Sequence, residues 1–198
     1  MPKNTDVRVG APDQKVTGAI KHAPLGTAIP TLADIKKAGV TVNPAFTGDE
    51  YVSEDGLTLS PSMSTTDVKD WSGATVRKLL ESYDGTLHWT MISTNKGALS
   101  IAFGKDHVTS VTASTDHGNQ VMAALGAYLP EEQAWIFLMK DGDARIVIAV
   151  PDGQITAVGD VVFASNAAIG WDVTLSCYPD ESGYSIYIMT DDGVVVSA

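Results

Sequence analysis

The sequence predicts a mainly β protein: two packed antiparallel sheets, a sandwich or barrel, flanked by one short α-helix. Apolar and polar residues alternate with period two through most of the second half. Turn sequences interrupt that alternation at spacings of roughly 8–12 residues, the rhythm of an antiparallel fold rather than of βαβ units. Only one segment has strong helical character.

Taken in order, residues 1–30 hold Pro2, Pro12, Pro24 and Pro30 with short apolar stretches, so they read as an extended arm with at most a short strand near Thr17–Lys21. Thr31 suits an N-cap with Asp34 three positions on, Lys36 and Lys37 suit a C-terminal dipole, and Gly39 ends what is a short helix or a single turn. Ser60–Asp70 is extended in propensity yet polar on both faces, and Gly73–Ser82 follows as a mixed strand with Arg77, Lys78 and Glu81. In Thr86–Ile92, Leu87, Trp89 and Met91 share one face while Thr86, His88 and Thr90 share the other. The helix is Thr94–Phe103, with Leu99, Ala102 and Phe103 on one side and Gly104 as its stop.

Further strands are expected at Val108–Ser114, Gln120–Tyr128, Ala134–Lys140, Ala144–Val150, Gln154–Ala164, Gly170–Tyr178 and Tyr184–Thr190. Trp171, Val173, Leu175 and Cys177 alternate with Asp172, Thr174 and Ser176 most cleanly. Asp141-Gly142, Asp152-Gly153 and Asp180 to Gly183 are the turns. The organisation is an arm at 1–30, one β domain at 31–192 that includes a polar hairpin at 57–83, and a tail at 193–198.

Composition narrows the function. Hydrophobic residues make up 44% and charged residues 19%, which excludes a disordered chain and leaves much neutral surface. The single cysteine excludes a disulfide framework and a cysteine-only zinc site. No apolar run reaches the roughly 18–20 residues that span a bilayer, and Met1–Gly10 carries no signal-peptide pattern, so synthesis in the cytoplasm is expected. A net charge of −11 argues against a surface that grips nucleic acid. Charge is uneven: residues 1–40 carry +3, 41–75 carry −5, 76–118 are neutral and 119–198 carry −9.

No constellation points to catalysis or to a cofactor. His107 and His117 follow Asp106 and Asp116 but stand ten residues apart at the two ends of one expected strand, and there is no HExxH, nucleophile elbow or phosphate loop. Cys177 lies on an apolar face as a core thiol. Asp141-Gly142-Asp143 and Asp191-Asp192-Gly193 lack the calcium-loop register. Catalytic, cofactor-binding and metal residues are therefore expected to be none. Trp71 stands alone among the tryptophans in a polar setting. Two-sided polar strands are a liability as exposed edges unless another chain pairs with them or they line water, which points to assembly.

Particular strings add to this. Ser53-Glu54-Asp55-Gly56-Leu57-Thr58-Leu59-Ser60, Asp70-Trp71, the Leu87–Ile92 strand before the Asn95–Phe103 helix, Val150 to Thr156 running on to Val158-Gly159-Asp160, and Tyr178-Pro179-Asp180 before Gly183-Tyr184 resemble, in order and spacing, the major tail protein of siphophages, the tail tube subunit of actinobacterial-type phages. The resemblance spans about residues 30–192. It implies a structural virion protein of the tail tube fold, made in the host cytoplasm. Subunits would form homo-hexameric rings stacked into a tube, with inner sheets joined as one β-barrel through which double-stranded genomic DNA passes without specific binding. A tape-measure protein inside during assembly, terminator and tip proteins at the ends, and no membrane partner complete that expectation.

Simple physics agrees. Four strands from each of six subunits, at about 4.8 Å spacing and 40° tilt, close a barrel about 48 Å across, wide enough for hydrated duplex DNA. An acidic wall would let DNA slide where a basic one would hold it. Asp67, Asp70, Asp160 and Asp172, in or beside the polar hairpin and the Gln154–Tyr178 strand pair, are the candidate lumen-facing acids. Lys3, Arg8, Lys15 and Lys21 of the basic arm are the candidate contacts to an acidic neighbouring ring, and loss of residues 1–20 is expected to leave folded monomers that stack poorly. The competing reading is a monomeric β-sandwich that binds a carbohydrate or receptor through Trp71 and the acidic turns.

Overall fold

The computed structural model describes residues 7–13, 18–48 and 50–195. Its strands are β1 (Ala11–Pro12), β2 (Ile20–Pro24), β3 (Ile35–Lys36), β4 (Gly39–Val40), β5 (Val52–Lys69), β6 (Thr75–Met91), β7 (Val108–Val111), β8 (Gln120–Ala123), β9 (Gln133–Asp141), β10 (Ala144–Val158), β11 (Trp171–Tyr178) and β12 (Tyr187–Asp191), with one α-helix, α1 (Lys96–Phe103).

One long strand organises the two layers. The first half of β10 pairs with β9 on one side and β12 on the other, and β1 and β2 pair with the far edge of β9. The second half of β10 leaves that layer and pairs with β11, which continues through β6 to β5. All these pairings are antiparallel, and the sheet curls so that its two halves face each other. The Asp152-Gly153 pair, expected to turn the chain, instead lies inside β10, where the register against β9 shifts between Val150 and Gly153. The chain bends there without reversing because Asp152 and Gly153 already pair with Tyr178 and Cys177. A side chain at Gly153 would press within 3.0–3.2 Å of Leu175, Val150 and Trp135, so these side chains pack closely over the corner.

Trp89, on β6, joins the layers: its ring lies 5.5 Å from Trp135 and 5.4 Å from Phe137 on β9. Leu87, Met91, Val150, Ile155, Val173 and Leu175 fill the same core. A second cluster covers the outer face of β9, where Ala23, Ile35 and Phe46 of the N-terminal segment pack on Ala134, Ile136 and Leu138. With both faces buried, β9 reads as a continuous apolar run.

Local differences have local reasons. The segment after Thr31 is a 3-10 turn (Leu32–Asp34) followed by the β3–β4 ribbon, because so short a stretch cannot repay helix nucleation. The Asp34 carboxylate accepts from the Thr31 N–H (2.8 Å) and hydroxyl (2.7 Å). In α1 the Asn95 side chain accepts from the Ala98 N–H at 2.9 Å, and Gly104, at φ 80°, ends the helix. Ala98, Leu99, Ile101 and Ala102 bury the helix against the end of the sandwich, and Phe103 meets Trp171 edge-on at 5.7 Å. The strands expected to reach Ser114, Tyr128 and Ala164 stop at Val111, Ala123 and Val158.

Candidate functional site

Beyond Pro61 and Gly85, which pair with each other, β5 and β6 leave the body as a two-stranded arm in which every residue from Ser60 to Asp84 is exposed. The projection is about 30 Å at the usual rise per residue. Its turn is tightly built: the Asp70 carboxylate accepts from the Ser72 hydroxyl (2.6 Å) and the Ala74 N–H (2.9 Å), which hold that carboxyl below its usual range. A ribbon of two strands exposed on both sides is marginal in water without a further strand or layer against it.

Where β10, β11, β6 and β5 lie side by side, one face belongs to the core and the opposite face is uncovered and polar. Parity places Ser60, Ser62, Ser64 and Thr66 of β5 there, with Asp84, Thr86, His88 and Thr90 of β6. Beside them stand Asp172, Thr174 and Ser176 of β11 and Asp152, Gln154 and Thr156 of β10. The side chains bond across strands: Thr156 to Ser176 at 2.7 Å, the Tyr178 hydroxyl to Gln154 at 3.1 Å, and Ser64 and Thr66 to Glu81. Asp172 pairs with His88. Burial, and then the nearby Glu132 carboxylate, push the Asp152 carboxyl above its usual range.

This face ends in two open strand edges. β5 pairs only with β6, and residues 154–158 of β10 pair only with β11, among the described residues. Each edge offers unpaired backbone N–H and C=O groups to a further strand.

Of the acids singled out from sequence, only Asp172 stands on the polar face. Asp67 lies on the opposite side of the arm, paired with Lys78 at 2.6 Å. Asp70 is engaged in the turn, and Asp160 is exposed in the loop after β10. Asp84, Asp152 and Glu81 join Asp172 on the face instead. The signal for Asp84 was present, since it shares parity with Thr86 and His88; parity with Ser60 to Thr66 equally sets Asp67 apart.

Among the basic candidates, Arg8 donates to the Asp191 carbonyl at 3.3 Å, Lys21 lies in β2 opposite Ile136, and Lys3 and Lys15 fall outside the described residues. β1 and the Asp13 to Arg145 ion pair (3.3 Å) hold the N-terminal segment on the body. Loss of residues 1–20 therefore removes native contacts and would not disturb stacking alone.

The arrangement offers surface rather than chemistry. No group of three or more potential metal ligands occurs among the described residues. The buried Cys177 thiol is pushed up to about 12, unsuited to nucleophilic attack. His107 stacks on Tyr128 at 3.5 Å.

A family model described as phage tail tube protein matches residues 3–197. The chain belongs to that family. It is a structural subunit of a phage tail tube, a component of the virion tail and not an enzyme. A search of curated proteins returns no match. Among solved structures, this tail tube protein is similar to a chain of the virion of a native gene transfer agent particle, at 11% identity and a TM-score of 0.39, covering 75% of this chain and 92% of that one. It is also similar to the tube-terminating cap of an anti-feeding prophage, at 13% identity and a TM-score of 0.43, covering 94% and 96%.

Proposed function

We propose that copies of this tail tube protein close into a ring by pairing the open edge of β5 in one subunit with residues 154–158 of β10 in the next. The observation that carries the reading is the uncovered polar face between two open edges. Pairing edge to edge would make a continuous barrel of four strands per subunit. A contact between two different edges of the same chain closes on itself when the rotation per copy divides the circle.

Six copies, the number that the family resemblance implies, would give a barrel about 48 Å across whose polar face lines a channel for double-stranded DNA. Asp84, Asp152 and Asp172 would make that wall acidic, with Glu81 further along the arm. A wall without a basic cluster forms no chain of phosphate contacts and releases no counterions, so the genome can pass. Asp67, Asp70 and Asp160 stand nearer the ends of the channel in this arrangement. The same channel would hold a tape-measure protein during assembly in the host cytoplasm, with terminator and tip proteins at the ends of the stack. Arg8 and Lys21, with Lys3 and Lys15, would meet the acidic surface of an adjoining ring.

Electron microscopy of the assembled full chain tests this. Six-fold rings or tubes with β5 beside β10 of the next copy and Thr86 and Thr174 toward the bore are the expected result. Assemblies with those residues on the outside, or persistent monomers that bind a glycan through Trp71, overturn it.

A further inference from the structure

The inner layer is flanked by two unlike surfaces. Just past Val158, where β10 ends, Val161 turns into the core while Val162 and Phe163 are 68 and 75% exposed. These three residues have the β-branched and aromatic side chains of a strand, yet they belong to no strand of their own chain. Two large apolar side chains in solvent beside an open edge have the form of a contact.

On the other flank a groove of about 380 Å³ lies between the edges of the two layers. Val52 and Leu57 of β5 form one wall, and Ile20 of β2 with Phe137 and Met139 of β9 form the other. A bulge opens it: Val52 and Leu57, five positions apart on β5, pair with Met91 and Trp89, two positions apart on β6. Residues 53–56 therefore stand out of the ladder and leave a slot for side chains in place of a straight edge. A cavity of about 150 Å³ accepts benzene, so the groove has room for a Phe ring and a Val side chain together. Glu50 and Glu54 share the lining, and residues 161–171 carry no charge, so that segment brings no carboxylate to meet them.

Register brings the two surfaces together. Val158, Val173, Trp89 and Leu57 stand in one row across the inner layer. In a closed barrel a strand tilt of about 40° offsets that row from the next copy's by about 16 Å along the strands, or about five residues. Hydrogen bonding sets the direction. The Ile92 N–H donates to the Tyr51 carbonyl and the Gly159 N–H to the Asp172 carbonyl, so even-numbered positions of β6 bond toward β5 and those of β11 toward β10. For L-residues with right-handed strand twist, that hand advances β10 toward its C-terminal end against the neighbouring β5. Val158 then comes about level with Ser62 of the next copy, and Phe163 about level with Leu57. The ladder made by residues 154–158 falls on the arm and leaves the groove free.

Resting on the ring reading above, we propose that Val162 and Phe163 of one copy seat in the groove between β5, β2 and β9 of the next copy in the same ring, with Phe163 as the anchor. Strands that are polar on both faces specify their register weakly, and a ring held in a pocket fixes it. The contact also ties both layers of one subunit to its neighbour.

The test uses the full chain. Phe163→Ala should melt at the wild-type temperature as unassembled protein, since the side chain is exposed there, but need about tenfold more protein to form rings. Phe163→Leu should recover part of that loss and Phe163→Asp none of it. Ser53→Cys combined with Val162→Cys should, on oxidation of the assembled protein, join copies through disulfides into a ladder that ends at one ring, and neither single variant should cross-link. Rings from Phe163→Ala at the wild-type concentration, no cross-link in rings of the double variant, or a ladder that runs past one ring overturns the seat and leaves the ring reading intact. Failure of the wild-type chain to form rings overturns the ring reading and the seat with it.

Discussion

Trp89 is where the two layers are tied, and Trp89→Ala measures that tie. The indole is 1% exposed and lies within 5.5 Å of Trp135 and 5.4 Å of Phe137, so truncation empties the centre of the sandwich rather than its margin. Removing a buried aromatic of this kind costs about 3–5 kcal/mol, of which the ring pairs account for about 0.5–1.5 kcal/mol each. In a domain of about 200 residues, each kcal/mol lowers the melting temperature by about 2–4 °C, so a fall of about 6–20 °C is expected. Urea unfolding followed by circular dichroism, on protein dilute enough to stay unassembled, gives the stability directly. The slope against denaturant should hold while the midpoint falls. A loss below about 1 kcal/mol would mean that the layers are not pressed together at this residue, and the curled sandwich would be wrong.

Two further outcomes follow from polar groups. Arg145 is 8% exposed and donates to the carbonyls of Gly142, Ala144 and Lys37 while pairing with Asp13, so Arg145→Ala should cost about 3–5 kcal/mol by stranding those partners. A double-mutant cycle with Asp13→Ala should show coupling; additive losses would mean that the ion pair does not hold the N-terminal segment. Because the folded-state pKa of Asp152 is raised, ionising it costs folding free energy, a penalty absent below its ordinary value of 3.8 and complete above the raised one. Asp152→Asn should therefore raise the melting temperature of the unassembled protein at pH 7, with the gain fading as pH falls toward 3.8; a gain that persists in acid would remove the charge from the explanation.

Much of the inner layer was written in period two. Leu87, Trp89 and Met91 on one side and Thr86, His88 and Thr90 on the other, with the matching split from Trp171 to Cys177, needed only the geometry of a pleated strand to be read. The same parity extended to Asp84, yet proximity to the polar hairpin pointed to Asp67 and Asp70, which occupy the other side of the arm and its turn. Asp152-Gly153 failed as a turn for a different reason. Local turn chemistry was outweighed by pairing with Tyr178 and Cys177, residues 24 or more positions away that no local window contains.

The amino-acid sequence by itself therefore determined that this is a β protein, which strand faces are dry and which are wet, and that a stretch near Ser60–Asp70 has no core of its own to join. Those properties are local, set by side-chain alternation and transfer from water. Only the tertiary structure decided that β10 serves both layers, that the edges of β5 and β10 are left open on either side of one polar face, and that the β5–β6 arm and α1 stand at opposite ends of that layer. Which edges remain unpaired depends on how all the strands share their hydrogen bonds, and that sharing is a property of the whole sheet.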